Sequence, residues 1–325
     1  MADDPATEVK KPSRLPSETH HVIVKLETIH VPAPEVDEDE AMTHEVIGYE
    51  YTRPSESAVA AARAWPASVL ITTTVPINKE TLGVAPYLKC IITETVGTDH
   101  IDLEECRRRG VTVMYSPNAT VEAVSEHALG LYFSSRRRLV TLHNTMMDHD
   151  EGRPNPWRAK GSMSSLLLDG EGRPPHTCGN EVVGMIGYGP IGQRVAKMCR
   201  ALGMEVLVAA RKNDATPAAN GNGNGPAAVQ TDGDAHAQRT PFAEVLRRAT
   251  TLFLVVPLTA ETKNLVGEAD IATMRPDAVI VNVGRGGTVN EAALVAALRE
   301  GRISGAATDV YEVEPAGSGQ DTVLE

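Results

Sequence analysis

Glu181-Val182-Val183-Gly184-Met185-Ile186 runs directly into Gly187-Tyr188-Gly189-Pro190-Ile191-Gly192. The first six residues read as a buried strand and the next six as a G-x-G-x-x-G turn. A helical pattern continues to Leu202 and stops at Gly203, and Glu205–Ala210 follows as a second strand. Alone, the glycine pattern says little. Between a strand and a helix, with another strand at the right distance, it marks a dinucleotide-binding β-α-β unit. Gly187 permits the tight turn, Gly189 lets backbone approach a pyrophosphate, and Gly192 lets helix pack closely on strand. Pro190 and Ile191 open the helix, whose unpaired N–H groups and partial positive charge suit phosphate. An ordinary glycine-rich turn is the plain alternative, and the flanking strands argue against it.

The end of the second strand bears on the cofactor. A site for NAD would place Asp or Glu there for the ribose 2′-hydroxyl. No carboxylate stands near Ala210; Arg211 and Lys212 come next. Two cations attract a 2′-phosphate, so the sequence favours NADP (NADPH), with NAD the alternative. The competing reading is that Arg211-Lys212 only opens a solvated loop.

Working outward, residues 213–238 are rich in Asn, Gly, Ala, Pro and Asp, lack Lys and Arg, and read as a low-complexity insertion. Helix 241–249, strand 251–256, helix 268–274 and strand 278–283 follow, then a helix capped by Asn290 and stopped by Gly301, then strand 303–308. Toward the N-terminus, residues 1–19 read as a disordered tail. Strands are expected at 21–26, 67–73, 88–92 and 111–114, and helices at 57–65 and 103–109, the latter ended by Gly110. A long helix is expected from Val121 to Asp148. Strand–helix alternation makes the fold α/β, with two Rossmann-like, doubly wound parallel-sheet domains. The expected division is 20–125, flavodoxin-like, and 126–315, dinucleotide-binding, with 316–325 beginning a return to the first domain.

Composition narrows the function classes. The 325 residues, 42% of them apolar, suffice for one or two cores. With 31 Lys plus Arg against 43 Asp plus Glu, the net charge of −12 argues against nucleic acid. No apolar run is long enough for a membrane span, and no secretory signal is visible, so a cytoplasmic enzyme or binding module is expected. The four cysteines have neither disulfide-scaffold count nor ligand spacing, and no metal site is expected.

Three further motifs stand together with the glycine turn: Thr95-Val96-Gly97-Thr98-Asp99-His100-Ile101-Asp102-Leu103, Val283-Gly284-Arg285-Gly286-Gly287-Thr288-Val289-Asn290-Glu291, and Asp309-Val310-Tyr311-Glu312-Val313-Glu314-Pro315. The pattern resembles the D-isomer-specific 2-hydroxyacid dehydrogenases over residues 20–315, and within them the hydroxypyruvate and glyoxylate reductases, also called glycerate dehydrogenases. The resemblance implies reduction of a small 2-oxoacid to a D-2-hydroxyacid by a nicotinamide cofactor in a homodimer. It makes 20–125 the substrate domain. Arg285 corresponds to the arginine that holds the substrate carboxylate and polarises its carbonyl, a task suited to a rigid, always-charged fork. The Val96-Gly97 amides correspond to the second carboxylate anchor, and Glu314 to the carboxylate that pairs with a catalytic histidine. Asp309 corresponds to the acceptor for the nicotinamide carboxamide. Pro257, Thr262 and Val283 correspond to lining of the dinucleotide site.

One departure stands out. The family's proton-donating histidine follows the glutamate further along, and this chain ends at Glu325, 11 residues after Glu314. The expectation is that this histidine, the last helix of the substrate domain and any peroxisomal tripeptide lie beyond. His100 and His127 read as positioning or packing residues rather than replacements. His176 and Cys178 have too few partners for a metal. Arg136-Arg137-Arg138 reads as a solvated helix face or a subunit contact. The rival functions are a family member that binds dinucleotide without efficient turnover and a co-repressor-like nucleotide sensor.

Overall fold

The structure is a computed structural model that describes residues 7–37, 41–147, 156–213, 238–314 and 316. The chain divides after Thr120 into two compact units. The insertion expected at 213–238 lies almost wholly outside the described residues, as does the segment from 317 onward.

The first unit runs β1 (His20–Lys25), β2 (Thr43–Gly48), α1 (Ser57–Ala64), β3 (Val69–Thr72), α2 (Lys79–Gly83), β4 (Cys90–Thr93), α3 (Leu103–Arg109) and β5 (Thr112–Tyr115). Its five strands are parallel, in the flavodoxin-like order β2-β1-β3-β4-β5. Val22, Val24, Leu26, Leu70, Ile77, Leu82 and Ile91 form its core. Each contributes about 1.5–3 kcal/mol of transfer free energy relative to exposure. Gly110 ends α3 with φ +71°, as its position in the sequence predicts.

Two elements here escape a sequence reading. β2 begins Thr-His-Glu, a polar start that hides a strand, because it forms the sheet edge and is half-buried over most of its length. α2 is a five-residue helix capped by Asn78, whose side chain accepts from Thr81 N at 3.0 Å. The tail also needs correction from residue 7 onward. It carries no helix or strand before β1, yet it is bound to this unit. Lys10 N donates to the Tyr49 hydroxyl at 2.8 Å, Ser13 N donates to Glu45 Oε2 at 2.8 Å, and Arg63 Nε donates to the Glu8 carbonyl at 2.9 Å.

In the second unit come α4 (Val121–Arg136), α5 (Leu139–Met147), α6 (Pro156–Lys160), two single 3₁₀ turns, β6 (Val182–Ile186), α7 (Pro190–Ala201) and β7 (Glu205–Ala209). They are followed by β8 (Arg239–Thr240), α8 (Phe242–Arg248), β9 (Thr251–Leu254), α9 (Glu268–Ile271), β10 (Val279–Asn282), α10 (Glu291–Arg299) and β11 (Gly305–Thr308). All pairings are parallel, in the order β11-β10-β9-β6-β7-β8. That is the two-halved Rossmann order, with the direction of winding reversing between β6 and β9. Alternate side chains serve opposite faces: Leu252, Leu254 and Ile280 meet α8 and α10, whereas Val183, Met185, Phe253 and Val281 meet α4 and α7. Burial on both faces is why these strands read as unbroken apolar runs.

The single long helix expected at 121–148 is two helices. The break falls at Arg137-Arg138, where Arg138 takes φ +49°. No Gly or Pro announces it. Arg136, expected on a solvated face, is instead buried, and its Nε faces Glu181 Oε1 at 2.7 Å. Its other nitrogens donate to the carbonyls of Thr250 (2.7 Å) and Asp277 (2.8 Å). This guanidinium anchors the end of α4 to the amino-terminal edge of the sheet.

Candidate active site

The glycine turn sits at the carboxyl end of β6, beside the reversal of winding, where parallel α/β sheets bind ligands. Gly187 has φ +94°, and a Cβ there would lie 2.3 Å from the Val255 carbonyl oxygen in the loop after β9. A Cβ on Gly192 would lie 2.3 Å from the Gly187 oxygen, so the third glycine lets α7 close on the turn. Gly189 differs from both. It is the N-cap of α7, and a Cβ there would meet nothing within 4 Å. Two glycines are thus required by the protein's own packing, and the third leaves an open face over a helix N-terminus. That is the cradle a pyrophosphate needs, and Pro190 and Ile191 continue from it into the first turn of α7.

The same close-approach device links the loops further along this edge. A Cβ on Gly284 would lie 2.7 Å from the Val256 oxygen, and one on Gly286 only 1.8 Å from the Tyr311 oxygen. The loop after β10 is therefore wedged between the loops after β9 and β11, and Arg285 stands within it. Arg285 is fixed through its own backbone: its carbonyl accepts from Asn282 Nδ2 (3.1 Å) and Thr288 Oγ1 (2.7 Å). Its Nη1 donates to the Gly284 carbonyl at 2.8 Å. Val283, two residues before it, is buried. On the facing loop, Glu312 N donates to Glu291 Oε1 at 2.5 Å, and Tyr311 N donates to Glu314 Oε1 at 2.8 Å. Glu314 itself is exposed.

Asp309 follows β11, with His127 Nε2 of α4 at 3.4 Å from its Oδ2. Burial pushes the Asp309 carboxyl above its ordinary value; nearby Glu314 acts in the same sense, and His127 and Arg285 act against it. Asp309, Arg285, Glu314 and His127 therefore share one electrostatic neighbourhood. The motifs named the first three, while His127 enters through packing that its helix position does not reveal. Beside β9, Thr262 Oγ1 donates to the Pro257 carbonyl at 2.6 Å and closes that loop, whose Pro257 is exposed.

At the carboxyl end of β7 the two expected cations part company. Arg211 is exposed and makes no hydrogen bond or ion pair among the described residues. Lys212 is committed elsewhere: Nζ donates to Asp270 Oδ2 (2.6 Å) and to the Leu265 carbonyl (2.7 Å). Asp270 lies 58 residues away, so no local spacing could reveal the pair.

In the first unit, Val96 and Gly97 occupy the loop after β4, with Val96 exposed and the Gly97 carbonyl accepting from Thr95 Oγ1 at 2.8 Å. Close by in sequence, Glu94 pairs with the fully buried Lys25. Glu27, also fully buried, accepts from Thr73 N (3.1 Å), Thr74 N (2.8 Å), Val75 N (3.0 Å) and Thr74 Oγ1 (2.9 Å). Neither buried charge is legible from the motifs.

No group of three His, Cys, Asp or Glu side chains among the described residues could hold a metal ion, and no helix there is long and apolar enough to cross a membrane. His176 is tied instead to Asp277, Nε2 to Oδ2 at 2.9 Å.

Fold and turn together define a dinucleotide-binding α/β protein. Residues 130–323 match the family described as D-isomer specific 2-hydroxyacid dehydrogenase, NAD binding domain. The chain belongs to the D-isomer-specific 2-hydroxyacid dehydrogenase family. It is 32% identical to a glyoxylate reductase of Thermococcus gammatolerans over 240 residues, 74% of this chain and 64% of that protein. It is 33% identical to a glycerate dehydrogenase of Methylorubrum extorquens over 272 residues, 84% of this chain and 76% of that protein. A crystal structure of a Thermus thermophilus protein superposes with TM-score 0.69 at 28% identity, covering 92% of this chain and 85% of that one. The chain thus spans less than two thirds of the glyoxylate reductase it matches.

Proposed function

We propose that this chain carries the cofactor-binding and substrate-binding residues of a cytoplasmic, NADPH-dependent reductase. Its substrate is a small 2-oxoacid, hydroxypyruvate or glyoxylate, converted to the D-2-hydroxyacid. The observation that carries this reading is the wedge of loops that holds Arg285, Asp309 and Glu314 in one neighbourhood beside the open Gly189 cradle. Gly187, Gly189, Pro190, Ile191 and Gly192, with Val283, Pro257 and Thr262, would hold a nicotinamide dinucleotide, which would supply a hydride there. Asp309 would accept from its carboxamide.

The chain's own residues supply the electrostatics. Arg285 takes the substrate carboxylate and stabilises negative charge growing on the carbonyl oxygen. Within the first unit, the Val96-Gly97 amides are the second carboxylate anchor that the resemblance implies. Glu314 is the carboxylate against which a proton-donating imidazole is oriented and made more basic.

A homodimer is part of the proposal. Helix α5 has the sequence Leu-Val-Thr-Leu-His-Asn-Thr-Met-Met, and none of its residues is buried. Val140 is 62% and Met147 55% exposed. A nine-residue helix that fully buries none of its side chains is marginal in water, so a partner surface is called for. The same helix of a second copy offers one of matching chemistry.

The test has two readouts. NADPH should bind, seen as quenching of protein fluorescence, and should be oxidised on adding hydroxypyruvate or glyoxylate. Arg285→Lys should lower kcat/KM about 10²-fold or more while leaving NADPH affinity within twofold. Binding without 2-oxoacid-dependent oxidation would support the non-catalytic rival, and absence of binding would overturn both.

A further inference from the structure

Arg239 opens the two-residue strand β8, next to the carboxyl end of β7. Its Nη1 donates to the Ala209 carbonyl, the last residue of β7, at 3.3 Å. Its guanidinium carbon lies 5.3 Å from the centroid of the Tyr188 ring. Tyr188 is the residue between the first two glycines of the turn, so this contact ties β8 to the dinucleotide cradle. From the other side, Arg200 Nη1 of α7 stands 3.5 Å from the Tyr188 hydroxyl.

Arg239 is exposed and has no carboxylate partner among the described residues. Partial desolvation lowers its pKa, with Tyr188 acting the other way. Several other cations of this unit are paired: Arg248 with Glu205 and Glu244, Arg194 with Glu122 and Glu126, and Lys212 with Asp270. Arg239 stands at this edge of the sheet, and its guanidinium, always charged, is open there to an incoming anion. Arg239 keeps donors beyond the one given to Ala209, in a planar fork suited to two phosphate oxygens. Its contact with Tyr188 restricts that plane.

We propose that Arg239, braced by Tyr188, is the principal ligand of the 2′-phosphate of NADPH, with Arg211 secondary and Lys212 taking no part. The assignment rests on the NADPH reading above and moves the discriminating charge from Arg211 to β8, 30 residues beyond the end of β7.

The experiment is fluorescence titration of the whole chain with NADPH and NADH, and competition by 2′-AMP and 5′-AMP, at one fixed ionic strength. The unaltered protein should prefer NADPH at least tenfold. Arg239→Ala should lose about 10- to 100-fold in affinity for NADPH and for 2′-AMP, with NADH changed less than threefold. Arg239→Lys keeps the charge without the fork and should fall between, and Lys212→Met should leave the preference intact. Equal loss of NADPH and NADH on Arg239→Ala would show that the side chain merely props Tyr188, and would overturn the assignment. So would loss of the preference in Lys212→Met. If the unaltered protein bound both dinucleotides equally, the NADPH reading itself would fall, a result distinct from either.

Discussion

At the scale of single residues, the three turn glycines make separable predictions. A methyl on Gly192 collides with the Gly187 carbonyl, so Gly192→Ala should destabilise the protein by about 1–3 kcal/mol in urea unfolding. Gly189→Ala meets open space and a φ of −76° that alanine accepts. It should cost under about 1 kcal/mol of stability yet weaken dinucleotide binding tenfold or more, because the added methyl stands on the open face. Equal effects of the two changes on stability would refute this division. Arg285 shows the limit of a sequence motif at this scale. Its residue type is evident, whereas the brace that holds it, Asn282 and Thr288 on its carbonyl and Gly286 against Tyr311, emerges only from the folded loops. The same limit explains Lys212, whose partner Asp270 is placed by α9.

Elements are held by charges that the sequence conceals. Removing the Arg136 guanidinium leaves Glu181 buried and unpaired, so Arg136→Ala should cost about 3–5 kcal/mol in urea unfolding. Near it, burial works to raise the Asp277 carboxyl, but hydrogen bonds from Arg275 and His176 outweigh it and hold the group below its ordinary value of 3.8. A carboxyl depressed in the folded state contributes stability above that ordinary value and loses it as pH falls toward the lowered one. Asp277→Asn should accordingly unfold with a weaker pH dependence below pH 3.8 than the parent, measured by thermal melting. Regular elements were legible where burial on both faces or a cap imprinted a pattern: β6, β9 and β10 as apolar runs, α10 through Asn290, whose Oδ1 accepts from Ala293 N at 2.9 Å. Edge strand β2 and the break between α4 and α5 were not. A half-solvated strand carries polar residues, and Arg138 enters the left-handed region without the glycine that usually marks it.

On the scale of the whole molecule, the apolar surface of α5 sets the expected assembly. Val140→Asp with Met147→Asp should convert a dimer to a monomer in sedimentation velocity, with the NADPH affinity of each protomer retained. A parent that sediments as a monomer at all concentrations would remove the dimer from the proposal. The first unit holds a different lesson in Glu27. Three consecutive amides after β3 would attract an anion from solution, and the chain fills them with its own carboxylate, sealed from solvent. That loop is therefore ordered at folding rather than at ligand arrival, and its conformational entropy is already spent. It should neither compete for phosphate nor soften as salt rises, since screening acts weakly on a contact from which water is excluded.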